Sequence, residues 1–182
     1  MAIGAGILPG RAASRSCENR RIAESDPETL DHPTRRAGPD DAADVARLLH
    51  DFNTEFGDPS PGVEALAERA RRMLADGEIT VLLGGAGPHG IAMLRFRLSI
   101  WSGALDAYIE ELYVAPRLRS RGMGRALLEG TMRAAREAGA TRIELGTGET
   151  DTAARALYES CGFTNLEGGA EGPRMLYYER EL

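Results

Sequence analysis

The stretch Ile109–Leu128, IEELYVAPRLRSRGMGRALL, constrains the fold of this chain more than any other. Ile109, Leu112 and Val114 are strand formers, and Pro116 ends the run because it has no N–H to give to a ladder. Arg119-x-x-Gly122-x-Gly124 follows. From Met123 onward Met123, Leu127, Leu128, Thr131, Met132, Ala135 and Ala138 recur at helical spacing. The reading is strand, loop, helix. A helix that opens in a glycine-bearing loop directs unpaired backbone N–H groups, and the positive end of its dipole, at whatever stands before it. Gly122 and Gly124 let a ligand approach the backbone closely. Arg117, Arg119, Arg121 and Arg125 add positive charge at the same point. Together these features describe a phosphate cradle.

Three kinds of cradle compete. A P-loop needs Gly-Lys-Ser/Thr after its spacer, and no such run exists. The dinucleotide fingerprint Gly-x-Gly-x-x-Gly fails at its last glycine, where Leu127 stands, although Glu144 lies at a suitable distance for a ribose contact. The third fits better. Val114-Ala115-Pro116 followed by Arg119-Ser120-Arg121-Gly122-Met123-Gly124 resembles the pyrophosphate arm of the Gcn5-related N-acetyltransferase (GNAT) superfamily. A second segment, Asp151-x-x-Ala154-x-x-Leu157-Tyr158-Glu159-x-x-Gly162-Phe163, is similar to that family's other signature. Alone, the Gly-x-Gly opening could equally be close strand–helix packing, and the arginines a solvated face. The second segment decides for the cradle. Two positions depart from the family pattern. Asp151 stands where relatives carry Asn, and Ser120 stands where Gly is common, which a negative φ would tolerate.

The resemblance covers roughly residues 30 to 182. It implies a GNAT-like α/β fold: a mixed, mostly antiparallel sheet with a splayed parallel central strand pair, flanked by helices on both faces. It implies acetyl-CoA as cofactor, held by Leu112, Tyr113, Val114, Arg119, Ser120, Arg121, Gly122, Met123, Gly124, Arg125, Asp151 and Tyr158. The main chains of Leu112 and Val114 would pair with the pantetheine arm, and the Leu112 N–H would also polarise the thioester oxygen. No metal site is implied. The connection between the first two helices commonly lines the acceptor site, which makes Phe52, Glu55, Phe56 and Asp58 candidate acceptor contacts; an ordinary surface loop with a hydrophobic plug is the competing reading.

At 182 residues and 42% hydrophobic, the chain suits one compact domain. Residues 1–29 mix Gly, Pro, Ser, Arg and Glu without periodicity and read as a flexible leader, leaving 30–182 as the domain. The net charge of −6 argues against a general nucleic-acid binder. No apolar run approaches the length of a membrane span. Cys17 and Cys161 offer no disulfide framework, so a reduced, cytoplasmic setting is expected. The family often dimerises, so a homodimer is an open expectation. Acids cluster between residues 40 and 78 while arginines gather at the cradle. That suits an anionic cofactor at one place and a cationic substrate at another, although helix surfaces are commonly charged.

Along the chain, a first strand is expected near His32–Ala37. A helix opens at Pro39-Asp40-Asp41 with Asp40 as its cap, and buries Val45, Leu48, Leu49 and Phe52. Ser60 and Pro61 suit the start of a second helix, which Gly77 closes. Strands follow at Ile79–Leu83 and Ile91–Ile100, joined by the glycine-rich turn 84–90. Thr141–Gly146 is a strand parallel to the one before the cradle. Asp151 caps a last long helix that ends at Gly162. Further strands are expected from Phe163 and over Met175–Glu179.

Acetyl transfer to an amine requires a base, because an amine's resting pKa is about 10.4, and an acid for the leaving thiolate. Glu110 and Glu111 are adjacent in the strand before the cradle. Regular alternation puts them on opposite faces unless a bulge intervenes, with Glu111 sharing a face with Ile109 and Tyr113. By resemblance to members with an acidic pair here, Glu110 is preferred as base and Glu111 kept as the alternative; proton loss to bulk water is the third option. Tyr158 matches the tyrosine that serves relatives as general acid, while core packing beside Leu157 is its plainer role. Cys161 reads as a small buried hydrophobe. The preferred reaction is direct attack of a primary amine on acetyl-CoA in a ternary complex, the acceptor a small cationic amine. The alternatives are a protein lysine or N-terminal acetyltransferase, and a non-catalytic CoA-binding sensor or scaffold.

Overall fold

A computed structural model describes residues 32–180. The expected leader over 1–29, with Cys17, lies outside the described residues. The elements are β1 (Thr34–Arg36), a 3₁₀ turn (Pro39–Asp41), α1 (Ala42–Phe56), α2 (Val63–Ala75), β2 (Thr80–Gly84), β3 (Gly90–Leu98), β4 (Leu105–Val114), a 3₁₀ turn (Pro116–Leu118), α3 (Met123–Glu137), β5 (Ala140–Leu145) and α4 (Thr152–Ser160). The five strands lie in sequence order. The first three pairings are antiparallel and β4–β5 is parallel. The α3 crossover makes that parallel pairing reachable.

Strand alternation sorts the core into two layers. Val81, Leu83, Ile91 and Tyr113 pack with Val45, Leu48 and Ala70 of α1 and α2. Leu82, Ala92, Leu94, Ala107 and Ile109 pack with Met123, Leu127 and Leu128 of α3. The sheet is therefore mixed, mostly antiparallel and covered by helices on both faces, as the resemblance implies. Apolar burial of each fully enclosed leucine contributes roughly 1.5–3 kcal/mol.

Several expected boundaries shift for local reasons. Asp41, not Asp40, secures the start of α1: its carboxylate accepts the Gly38 N–H at 2.9 Å and forks onto Arg35 at 2.6 and 2.8 Å. α2 begins after Gly62 and not at Pro61, while Ser60 is bonded to His50 Nδ1 at 2.8 Å. The strands expected from Phe163 and over Met175–Glu179 do not form. A single bridge joins Leu166 to Arg174. Between them Gly168 and Gly169 take φ of 72° and 123° and turn the chain. The run Met175–Tyr178 lacks the two-residue alternation that would bury one face, and its side chains are exposed. Within the described residues, the parallel pair thus lies at an edge of the sheet and not at its centre.

The seat of α3 positions everything that follows. A Cβ on Gly90 would stand 2.7 Å from Leu127 Cδ1, 3.1 Å from Met123 Sδ and 3.2 Å from the Tyr113 carbonyl oxygen. The first two turns of α3 are thus pressed directly onto the start of β3. Gly90→Ala should therefore cost about 1–3 kcal/mol through overpacking. Urea unfolding would read this as a lower midpoint with an unchanged slope.

Candidate active site

β4 and β5 run together only from Leu105–Ala140 to Ile109–Leu145. Beyond Ile109 the two strands part, and Glu111–Val114 keep neighbours on the β3 side alone. The Ala115 N–H donates to the His89 carbonyl at 2.8 Å, toward β3. Alternation then turns the backbone groups of Leu112 and Val114 the other way, into the gap. One of those groups is already engaged: the Val114 carbonyl accepts from Arg119 Nε at 2.9 Å.

The gap opens toward the start of α3. Gly122 caps this helix with φ 91°, a conformation that asks for glycine. The first N–H that returns to the capping turn is that of Ala126, which donates to the Gly122 carbonyl at 3.0 Å. The N–H groups ahead of it are the orphan donors of a helix N-terminus. They fit a diphosphate, with the exposed Arg121 beside them. Gly124 has a packing role as well, since a Cβ there would meet Leu157 Cδ2 of α4 at 3.3 Å. Ser120 departs from expectation: its φ is 59°, the one non-glycine in the left-handed region among the described residues. The arginines divide. Arg125 bonds Ser160 Oγ at 2.8 Å and lies near Glu129, and Arg119 forks onto Glu55 at 2.7 and 2.8 Å. Neither of those two stands free for a ligand in this arrangement.

A β-bulge decides the placement of the two glutamates. Met93 faces Glu111 and Leu94 faces Ile109, so Glu110 is the extra residue. Ile109 belongs to the α3 layer and Tyr113 to the α1 layer, so Glu111 shares the face of Tyr113 but not, as regular alternation would have it, that of Ile109. The bulge resets the alternation, and Glu110 and Glu111 both fall on the face of Tyr113. Their environments differ. Glu110 is paired with Arg95 Nε at 2.7 Å. Glu111 has no hydrogen bond or ion pair among the described residues. Burial, and then the charge of Glu110, push its carboxyl up to about 7. Of the two acids, Glu110 is thus engaged by Arg95, and Glu111 carries the raised carboxyl.

Tyr158 lies on α4 in the α3 layer, with its ring 6.1 Å from that of Phe163. Burial, and then the charge of Asp151, push its phenol up to about 12, so it holds its proton at any working pH. Asp151 itself caps α4, accepting the Ala154 N–H at 3.0 Å. Cys161 is a half-buried free thiol at the edge of the same layer.

A parted parallel pair, a helix N-terminus at its mouth and an acidic bulge on its wall now stand together. The family model for the acetyltransferase (GNAT) family matches residues 44–163. The chain is a member of the GNAT family. Among curated relatives, an aminoglycoside N(6′)-acetyltransferase type 1 of Stenotrophomonas maltophilia is 30% identical over 154 residues, covering 81% of this chain and 92% of its own. A thialysine N-epsilon-acetyltransferase of Caenorhabditis elegans is 27% identical over 130 residues, covering 70% and 80%. A crystal structure of an Arthrobacter sp. FB24 protein assigned to the acetyltransferases is 45% identical with a TM-score of 0.77, covering 87% of this chain and 100% of that one. The chain is accordingly an acyl-CoA-dependent N-acetyltransferase, and GNAT enzymes use acetyl-CoA.

Within the GNAT frame the expected acceptor residues separate. Phe52, Glu55 and Phe56 are on the last turn of α1 and not in a loop, because that helix runs on to Gly57 at φ 77°. Phe52 is packed against Phe56 and Tyr113, at 5.2 and 5.4 Å between ring centroids. Glu55 is committed to Arg119. Phe56 and Asp58 remain exposed. Sequence reasoning missed a charged platform on the sheet: Arg97 pairs with Asp106 and Glu144, and Arg142 with Glu144 at 2.9 Å, beside the Arg95–Glu110 pair. The signal was present in Met93-x-Arg95-x-Arg97, where charge replaces an apolar residue at a two-residue period along one face of β3.

The unpaired Glu111 also has a consequence for stability. Burial holds its carboxyl up at about 7 in the folded chain, well above the 4.5 of a solvated glutamate. The folded state therefore holds the proton more tightly. Stability from this group is fully present below pH 4.5 and is lost as pH rises through 7. Glu111→Gln, which cannot ionise, should melt well above the parent at pH 8 and close to it at pH 5. Thermal melts at the two pH values check this; an equal difference at both would place the titration elsewhere.

Proposed function

We propose that this chain transfers an acetyl group from acetyl-CoA to the primary amine of a small cationic acceptor, by direct attack in a ternary complex. The observation that carries the reading is the unpaired Glu111 carboxyl, raised to about 7, on the strand whose freed backbone lines the gap. A base near 7 stands closer to an ammonium of about 10.4 than an ordinary carboxylate does, while about half of it is still ionised at neutral pH. Glu111 takes the proton that the amine must lose. The Leu112 N–H donates to the carbonyl oxygen under attack. Tyr158 gives its proton to the departing sulfur. A C–N bond forms, a C–S bond breaks, and the protein ends with one proton gained and one lost. When bound, acetyl-CoA supplies the activated carbonyl; the α3 amides and Arg121 hold its diphosphate.

Two features support a cationic acceptor. Asp106, Glu110 and Glu144 are met by Arg95, Arg97 and Arg142, which leaves the Glu111 carboxylate as the charge of that half-buried platform that no arginine among the described residues offsets. The curated relatives are named for amine acceptors, an aminoglycoside and thialysine. Release of free thiol, followed over a panel of aminoglycosides, polyamines, lysine analogues and peptides, tests the reading. With the best acceptor, kcat should rise with pH up to about 7 and then level. Glu111→Gln should lower kcat by about 10²–10⁴ and flatten that rise. A flattened profile in Glu110→Gln alone would transfer the role to Glu110. Tyr158→Phe should slow turnover with little change in acetyl-CoA affinity, and a large loss of affinity would make Tyr158 a binding residue instead.

A further inference from the structure

Arg119 opens the cradle motif, yet its guanidinium is already spoken for. Nε donates to the Val114 carbonyl at 2.9 Å, and the two terminal nitrogens fork onto Glu55 at 2.7 and 2.8 Å. The same guanidinium lies over the Tyr113 ring, 5.6 Å from its centroid. The fork holds the Glu55 carboxyl below its usual range. Exposed ion pairs contribute little as a rule. This pair is bidentate, short and stacked, and its side chains are 41% and 28% exposed, which is the geometry in which such a pair does hold a chain in place.

What the fork holds is the loop. Ser120, the next residue, is in the left-handed region at φ 59°, and Gly122 follows at 91°. A serine in that region is strained and persists only where neighbours over-determine it. Two clamps do so. On one side Glu55 grips Arg119; on the other His32 Nε2 lies 2.7 Å from the Arg121 carbonyl. Glu55 also lies on the last turn of α1, two residues before Gly57 ends the helix and the connection to α2 begins.

We propose that Glu55 is a positioning residue of the cofactor site: through Arg119 it keeps the strained loop in the shape that presents the α3 amides to the diphosphate. It does not bind the amine. The inference rests on reading the cradle as the acetyl-CoA site. It also ties cofactor affinity to the end of α1, so that the helix whose end opens the inter-helix connection fixes the diphosphate loop as well.

The test uses the full chain, CoA titrated by calorimetry, and steady-state kinetics with an accepted amine. Glu55→Gln should weaken CoA binding and raise the acetyl-CoA KM by about tenfold, with kcat within twofold and the amine KM unchanged. Arg119→Lys, which keeps the charge and breaks the fork, should weaken CoA similarly. The double variant should be no weaker than the worse single, because both changes break one connection. Thermal melts establish that each variant is folded. If Glu55→Gln is not, Glu55→Asp, which retains the charge but shortens the reach, takes its place and should show a smaller loss of the same kind. Parental CoA affinity in the Glu55 variants would overturn the inference alone. So would additive losses, or a raised amine KM with CoA affinity intact, which would return Glu55 to the acceptor. Failure of the parent itself to bind CoA would instead overturn the cradle reading, and the inference with it.

Discussion

The end of the β4–β5 ladder at Ile109 is the constraint on which the site depends. A parallel pair that continued to Val114 would consume the backbone groups of Leu112 and Val114 in the sheet. The very next residue, Glu110, is the bulge. An extra residue increases local twist and bends its strand, so the one irregularity both turns β4 away from β5 and brings two acids to one face. Freed main-chain donors and a carboxylate wall arise from a single insertion in the register.

The electrostatics then separate two residues that are chemically identical and adjacent. Arg95 engages Glu110 in a direct ion pair. Glu111 has no such partner among the described residues, is desolvated by burial, and feels its neighbour's charge. Like charge and desolvation act in the same direction on Glu111 and raise its carboxyl, while Glu110 is held in an ion pair. The arginines of the cradle divide in a similar way. Arg119 and Arg125 brace the protein, and Arg121 stays exposed while its carbonyl anchors the loop through His32.

Much of the fold was legible because it rests on local periodicity. The stripes Val45-Leu48-Leu49-Phe52 and Met123-Leu127-Leu128 point their helices to the sheet wherever the sheet lies. Gly77, Gly139 and Gly162 end their helices with φ of 71°, 85° and 88°. The caps were less legible. Asp40 and Asp41 offer the same chemistry, and only the position of Arg35 in β1 decided for Asp41. The C-terminal strands failed although β5 is an edge strand: residue types that favour strands do not by themselves supply the alternation that buries one face.

The sequence by itself determined the family, the cradle and the two candidate carboxylates, because Arg119-x-x-Gly122-x-Gly124 and the Leu157-Tyr158-Glu159 segment are patterns of neighbours along the chain. Tertiary structure alone decided what each side chain touches. The cross-strand register placed Glu110 in a bulge, which no count along β4 could reveal. Contact between residues 64 positions apart engages Glu55 with Arg119. Register and long-range pairing are properties of two segments at once, and a chain read one residue after another holds only one of them at a time.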